Sequence, residues 1–279
     1  MSEWFIEKNF DHGWSQTFLG DKIYDQQSPY QNIKVIQTEL FGRILLLDDI
    51  IQCTEKDEES YHEMMVHVPL FAHNAAKNVS VIGGGDGGII KQVLKHQDVE
   101  KITLVEIDEQ VIKVSKNLLP SISGGAFDNP RVNVVIGDGV DWVKNSQEKY
   151  DIIIVDRPES SGPAIALYSP EFYDDCEKRL DERGILVAQT GNWPINKFEL
   201  ISQLTFASFA FNKASCYLAT VSSSVTGATC FLWAADWNIN IPSNILLDRI
   251  INKNIKDLKY YNRETHLAAF ALPNCIKDL

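Results

Sequence analysis

Between residues 78 and 190 the chain alternates short β-branched runs with amphipathic stretches, and this alternation limits what it can fold into. "NVSVIGG", "KITLVEID", "RVNVVIGD", "YDIIIVD" and "GILVAQT" read as strands, the kind buried on both faces of a parallel sheet. "GGIIKQVLKH", "EQVIKVSKNLL", "GVDWVKNS" and "SPEFYDDCEKRL" read as the helices between them. Strand and helix in strict turn give an α/β fold with a doubly wound parallel sheet. In the final third, "FNKASCYLATVSS" and "ATCFLWAAD" read as an antiparallel pair that closes the sheet.

The first 60 or so residues follow a different pattern. "WSQTFLGDKIYDQQSPYQNIKVIQTELFGRILLLDDIIQCTEKDEE" breaks β-rich segments at Gly20, "QQSPY", "FGR" and "LDD", which predicts a hairpin meander. A helical pattern, "DEESYHEMMVHVPLFAH", leads into the alternating region. The expected organisation is a small β domain over 1–60 and an α/β domain over 61–279. A net charge of -12 argues against a nucleic-acid or anionic-membrane partner. The start "MSEWFIEKNF" does not read as a signal peptide and no apolar run approaches a membrane span. The five scattered cysteines and six histidines lack metal-ligand spacing, so reduced thiols, no metal and a cytoplasmic setting are expected.

Ligands of such sheets bind at the carboxyl ends of the strands. Four ends here carry notable residues. Gly83, Gly85 and Gly88 in "VIGGGDGG" match the GxGxxG spacing, by itself a weak signal. Glu106 ends the next strand, where a carboxylate accepts hydrogen bonds from a ribose diol. Asp138 ends the third, suited to an adenine amino group, and Asp156 ends the fourth. Asp86 separates two kinds of cofactor. A loop that cradles pyrophosphate offers backbone N–H groups and no negative charge, whereas a carboxylate attracts a sulfonium or an amine. Asp86 alone could equally cap the following helix. Beside Glu106, Asp138 and Asp156, it favours an adenosyl-sulfonium ligand.

"TEKDEESYHEMMVHVPLFAH", "VSVIGGGDGGIIKQVLKH", "VEKITLVEIDEQVI", "NPRVNVVIGDGVDWV" and "KYYNRETHLAAFALP" resemble the spermidine synthase family of aminopropyltransferases nearly end to end. The resemblance implies a small N-terminal β domain before a Rossmann-like domain of the class I methyltransferase type, and a homodimer. It implies transfer of the aminopropyl group of decarboxylated S-adenosylmethionine to putrescine or a related amine, releasing methylthioadenosine, with no further cofactor. By the same resemblance Gln31, Gln52 and Pro163 line the donor site with Gly83 and Gly85, and Asp86 meets the donor's ammonium. Glu106 would hold the ribose, and Asp138 with Gly139 the adenine. Tyr61 and His62 would lie where donor and acceptor meet, with Glu159 and Gln189 near the acceptor. His67 reads as an ordinary core residue.

The family carries its general base at the position matching Asp156. An alkyl amine of pKa about 10 is protonated at neutral pH, and freeing its lone pair costs about 4 kcal/mol at pH 7. A carboxylate that takes the proton during attack lowers that barrier. Here the chain departs from the family's usual Asp-Ser-Ser-Asp-Pro, reading Asp156-Arg157-Pro158-Glu159-Ser160, and Ser224 stands where a tyrosine is expected. A guanidinium at about 6 Å from a substrate ammonium, at an effective dielectric of about 20, would repel it by about 3 kcal/mol. Two outcomes are open. Arg157 turns to solvent or pairs with Glu159, as a loop side chain readily does, and putrescine still binds. Otherwise Arg157 faces the pocket and the acceptor lacks a second ammonium. A nucleoside-binding paralogue without turnover is the non-enzyme alternative, and retention of both Asp86 and Asp156 speaks against it.

Overall fold

The structure, a computed structural model, describes residues 2–7, 15–157, 162–277 and 279, with the side chains of 162–164 outside the description. Five antiparallel strands open the chain: β1 (Glu3–Glu7), β2 (Gln16–Gln27), β3 (Asn32–Thr38), β4 (Gly42–Leu47) and β5 (Ile50–Thr54), paired in sequence order. The β4–β5 turn places Asp48 and Asp49 at φ 50° and 66°, the left-handed pair that suits the twist of a tight hairpin. The meander expected from residue 14 onward therefore has one further strand, β1, ahead of it.

Helix α1 (Glu58–His73) starts on two acids and is buried along nearly its whole length. It packs against the second sheet rather than the first. The remaining elements alternate: β6 (Asn78–Gly83), α2 (Gly88–Val93), β7 (Lys101–Glu106), α3 (Glu109–Leu118), the short α4 (Pro120–Ser123), β8 (Val132–Ile136), α5 (Gly139–Asn145), β9 (Tyr150–Asp156), α6 (Pro170–Arg179) and β10 (Leu180–Asn192). A 3-10 turn over 162–168 precedes α6. Helix α7 (Lys197–Ala210) and the pair β11 (Lys213–Thr220) and β12 (Ala228–Ala235) follow, and α8 (Ser243–Lys253), α9 (Arg263–Ala269) and α10 (Asn274–Lys277) end the chain.

The second sheet has seven strands in the order β11-β12-β10-β9-β6-β7-β8. Strands β10, β9, β6, β7 and β8 are parallel, while β12 and β11 run antiparallel, the closing pair expected from the sequence. Ile152, Ile153, Ile154 and Val155 are fully buried because helices cover both faces. The register Gly83↔Asp156 and Glu106↔Ile136 brings the carboxyl ends of β6, β7, β8 and β9 to one edge. A Cβ on Gly83 would lie 1.8 Å from the Asp156 carbonyl oxygen, so only glycine lets these two strand ends meet.

Candidate active site

A cavity of about 380 Å³ opens at that edge, between the β4–β5 region of the first sheet and the strand ends of the second. Eleven residues singled out from sequence line it: Gln31, Gln52, Tyr61, Gly83, Gly85, Asp86, Glu106, Asp138, Gly139, Asp156 and Gln189. They come from seven elements and their connecting loops, and the sheet topology alone brings them together. Glu159 lies outside the described residues, as does the side chain of Pro163.

His62 does not reach the cavity. It is 1% exposed, on α1 behind the glycine loop, and a Cβ on Gly88 would fall 2.1 Å from its ring. Its Nδ1 lies 2.6 Å from Glu58 Oε2 and its Nε2 3.4 Å from Asp86 Oδ1. Lys91 Nζ donates to Glu58 Oε1 at 2.5 Å. Charges thus alternate from Lys91 through Glu58 and His62 to Asp86. Burial opposes a charged ring, but the flanking Asp86 and Glu58 prevail and push the His62 pKa up to about 10. The imidazolium in turn outweighs the burial of Asp86 and holds its carboxyl below the usual range. His62, expected where donor and acceptor meet, therefore stands one residue behind the cavity wall, against Asp86. Asp86 Oδ1 also accepts the Gly88 N–H at 2.6 Å, although the N-cap residue of α2 is Gly87 and not Asp86.

Asp156 accepts a 2.6 Å hydrogen bond from the Tyr61 hydroxyl on Oδ1, and among the described residues no hydrogen-bond donor is assigned to Oδ2. Burial and the neighbouring Asp86 raise its pKa to about 6, against the opposing pull of His62 and Tyr61. A carboxylate with that pKa is ionised at neutral pH yet basic enough to take a proton. Burial likewise raises Glu106 to about 7, partly offset by the Asp108 N–H that it accepts at 2.9 Å. Asp138 accepts the Val140 N–H at 2.7 Å and caps α5. Gln189, with its amide oriented to satisfy both groups, donates to the Arg157 carbonyl and accepts from the Gly191 N–H, each at 3.2 Å.

His62, Asp86 and Asp156 bring one ligand atom each within 4.8 Å of one another, a separation a metal could bridge. Both nitrogens of His62 already face carboxylates in an ion-paired chain, so the donor set suits an organic cation better than a metal. Arg157 does not turn to solvent, and the pairing with Glu159 falls outside the described residues. Its side chain is 3% exposed and turns beneath the strand ends towards α6 and α7. Nε donates to the Gln189 carbonyl at 3.2 Å, Nη1 to the Leu167 carbonyl, and Nη2 to Gln203 Oε1 and to the Tyr173 hydroxyl at 3.3 Å. The guanidinium carbon sits 3.7 Å from the centre of the Tyr168 ring. Interior carbonyls and an aromatic face solvate the charge and fix the guanidinium, although the residue itself borders the cavity.

Of the residues at or beside the site that the sequence reading did not single out, Glu7 and Asp108 carry most of the local hydrogen bonding. Glu7, at the end of β1, lines the same cavity at 5% exposure and accepts from Ile51 N–H and Gln16 Nε2. A lone acid on an edge strand gives no pattern to find it by. Asp108 caps α3 through Gln110 N–H and accepts from Ser28 Oγ at 2.6 Å and Gln31 Nε2 at 3.2 Å. Its capping position just before α3 was legible, but its reach into the first sheet was not. Ser224 lines the cavity as expected, and its hydroxyl is held by Asn192 Oδ1.

A doubly wound sheet whose strand ends bring Asp86, Glu106, Asp138 and Asp156 to one cavity, with Glu7 and Asp48 of the first sheet, defines a nucleoside-binding α/β protein built for a positively charged ligand. The profile described as "Spermine/spermidine synthase domain" matches residues 58–242, and that of the "Spermidine synthase tetramerisation domain" matches 3–55. A polyamine aminopropyltransferase of a Ruegeria species is 41% identical over 278 residues, 99% of this chain and 98% of the relative. Polyamine aminopropyltransferase 1 of Bacillus cereus is 41% identical over 280 residues, 100% of this chain and 99% of the relative. A spermidine synthase solved in complex with the transition state analogue AdoDATO superposes with a TM-score of 0.93 at 35% identity, covering 99% of this chain and 94% of the other. Spermidine synthase from Thermotoga maritima gives 0.90 at 35% identity, covering 99% and 93%. The chain belongs to the spermine/spermidine synthase family.

Proposed function

We propose that this protein is a polyamine aminopropyltransferase that moves the aminopropyl group of decarboxylated S-adenosylmethionine to putrescine, forming spermidine and methylthioadenosine. The observation that carries it is the placement of Asp86 and Asp156 on one cavity, with Asp156 tied to Tyr61 through one carboxylate oxygen. Glu106 and Asp138, with Gln31 and Gln52 opposite, take the nucleoside, and Asp86 takes the donor's ammonium. The acceptor nitrogen attacks the methylene beside the sulfonium. The new C–N bond forms as the C–S bond breaks, the electron pair going to sulfur and the ammonium proton to Asp156. Positioning and proton removal are the two contributions asked of the protein.

Putrescine is favoured over an acceptor without a second ammonium because the Arg157 guanidinium is tied to the Gln189 and Leu167 carbonyls and to Gln203, and Glu7 adds a carboxylate to the cavity. Relatives that share the family's name, and the burial of a donor-sized cavity between two sheets, support a two-unit organisation near residue 60 and self-association of the chain. A cytoplasmic setting fits the five free thiols. Among the described residues no helix is long and apolar enough to cross a membrane. The test is a mass-spectrometric assay of the purified protein with decarboxylated S-adenosylmethionine and a panel of mono-, di- and triamines. Spermidine and methylthioadenosine formed in equal amounts from putrescine are expected. Turnover with another amine in preference to putrescine would overturn the acceptor. No turnover, with methylthioadenosine still bound, would leave a nucleoside-binding paralogue.

A further inference from the structure

Asp57 stands at the N-cap of α1, where an aspartate ordinarily accepts a backbone N–H from the first turn of its helix. Here its side chain makes no such bond. Oδ2 instead accepts the Ser223 N–H at 2.6 Å, and Oδ1 accepts the Ser223 hydroxyl at 3.1 Å and the Thr54 hydroxyl at 2.6 Å. Ser223 lies 166 positions further along the chain, in the turn between β11 and β12. Its carbonyl accepts Gln16 Nε2 from β2 at 2.8 Å, and the same amide nitrogen donates to Glu7 Oε2 at 2.5 Å. The N–H, hydroxyl and carbonyl of this one serine are thus all engaged by side chains that do not line the cavity, while Ser223 itself does.

The turn is braced by its own backbone. Val221 N–H donates to the Gly227 carbonyl at 3.0 Å, Ser224 N–H to Val221 at 3.1 Å and Gly227 N–H to Ser224 at 2.9 Å. Val221, Ser223 and Ser224 border the cavity, and the shared Gln16 amide sets Glu7 against them. Holding Ser223 therefore holds this whole stretch of wall. Asp57 also precedes Tyr61 by four residues, about one turn of α1 and a rise of about 6 Å. Tyr61 bonds Asp156. A single helical turn thus spaces Asp156 from the wall that Asp57 secures.

We infer that Asp57 is a positioning residue for the amine acceptor: by pinning the β11–β12 turn to the start of α1, it fixes the far wall of the acceptor pocket and so the length of diamine that fits. This rests on the aminopropyltransferase reading, with one acceptor nitrogen at Asp156 and the other near Glu7. A carboxylate suits the task because its two oxygens accept from three donors at once. Asparagine keeps one acceptor oxygen, enough for the Ser223 N–H, while the two hydroxyls can turn to accept from its NH2 group.

The test compares wild type with Asp57→Ala, Asp57→Asn and Gln16→Met, the last at a half-buried position on β2, with circular dichroism to verify folding. Calorimetry on the methylthioadenosine-saturated protein reads amine binding without turnover, using diaminopropane, putrescine, cadaverine and diaminohexane. Wild type should prefer putrescine. Asp57→Ala and Gln16→Met should each weaken putrescine about tenfold or more and bring it within about threefold of the longer diamines, with methylthioadenosine affinity within about twofold of wild type. Asp57→Asn should recover part of the loss. In turnover assays KM for putrescine should rise far more than kcat falls. A wild type without length preference, folded variants that keep it, or equal losses for every diamine and for methylthioadenosine would overturn the inference and leave Asp57 a structural tie. A wild type that binds diamines with the expected preference but turns none over would overturn the aminopropyltransferase reading, and the binding comparison would still decide the role of Asp57.

Discussion

Replacing Arg157 by methionine separates a structural arginine from one that screens the substrate. The methionine fills much of the volume but strands the carbonyls of Gln189 and Leu167 and the amide oxygen of Gln203, all of which accept from the guanidinium. A buried acceptor left without a donor costs about 1–3 kcal/mol. Three of them, with Tyr173 able to reach Gln203 and take over one, give a loss of about 3–5 kcal/mol. In a chain of this length each kcal/mol shifts the melting temperature by about 2–4 °C, so a fall of about 6–20 °C is expected in thermal unfolding. Arg157→Lys should recover only part of it, since one ammonium cannot serve acceptors on β10, α7 and the 3-10 turn together. Turnover with putrescine should drop in both variants, because the residue after Asp156 loses its anchor. Melting temperatures within about 2 °C of wild type, with a tenfold gain in kcat/KM for putrescine, would refute this account and return Arg157 to the pocket.

Three further outcomes are expected. Asp156→Asn should lower kcat by about 10²–10⁴-fold with little change in methylthioadenosine affinity by calorimetry, and it should remove an acid limb in kcat/KM near a pKa of about 6; a collapse of nucleoside affinity would make Asp156 a donor-binding residue instead. Asp86→Asn should weaken decarboxylated S-adenosylmethionine by about 1.5–3 kcal/mol more than methylthioadenosine, which lacks the aminopropyl group; equal weakening would reduce Asp86 to a partner for the Gly88 N–H and His62. Glu106→Gln should weaken methylthioadenosine binding yet stabilise the ligand-free protein at pH 8. Burial raises the Glu106 pKa from 4.5 to about 7, so its ionised form carries a stability cost that is absent below pH 4.5 and complete above pH 7. Urea unfolding should show a gain of up to about 3 kcal/mol at pH 8 that vanishes near pH 4; a gain independent of pH would contradict that origin.

The strand ends were legible because each apolar β-branched run stops at a carboxylate, and the parallel register then carries Glu106, Asp138 and Asp156 to one edge. Asp86 was legible because a negative charge within a glycine-rich loop is chemically out of place for phosphate. Arg157 was not. Its neighbours Pro158 and Glu159 look like a loop, and nothing in the local sequence shows that Leu167, Gln189 and Gln203 present acceptors to an interior position. Glu7 was hidden for a related reason: an acid on a short edge strand is usually solvated, and only the fold of the first sheet brings it to a cavity. For His62 the helical spacing to Glu58 is visible in sequence, while the approach of Gly88 to its ring is not.

Asp108 joins the nucleoside end of the cavity to the first sheet through Ser28 and Gln31, while Gln16 of that sheet reaches the Ser223 carbonyl near the acceptor end at 2.8 Å. Both ends of the pocket are therefore stitched across the seam. The N-terminal sheet is not an interchangeable module: a chimera taking it from a relative would inherit a wall cut for another cavity. Divergence at Ser28, Gln31 or Gln16 is constrained by residues more than 75 positions away, and the two sheets have to evolve as a single lineage.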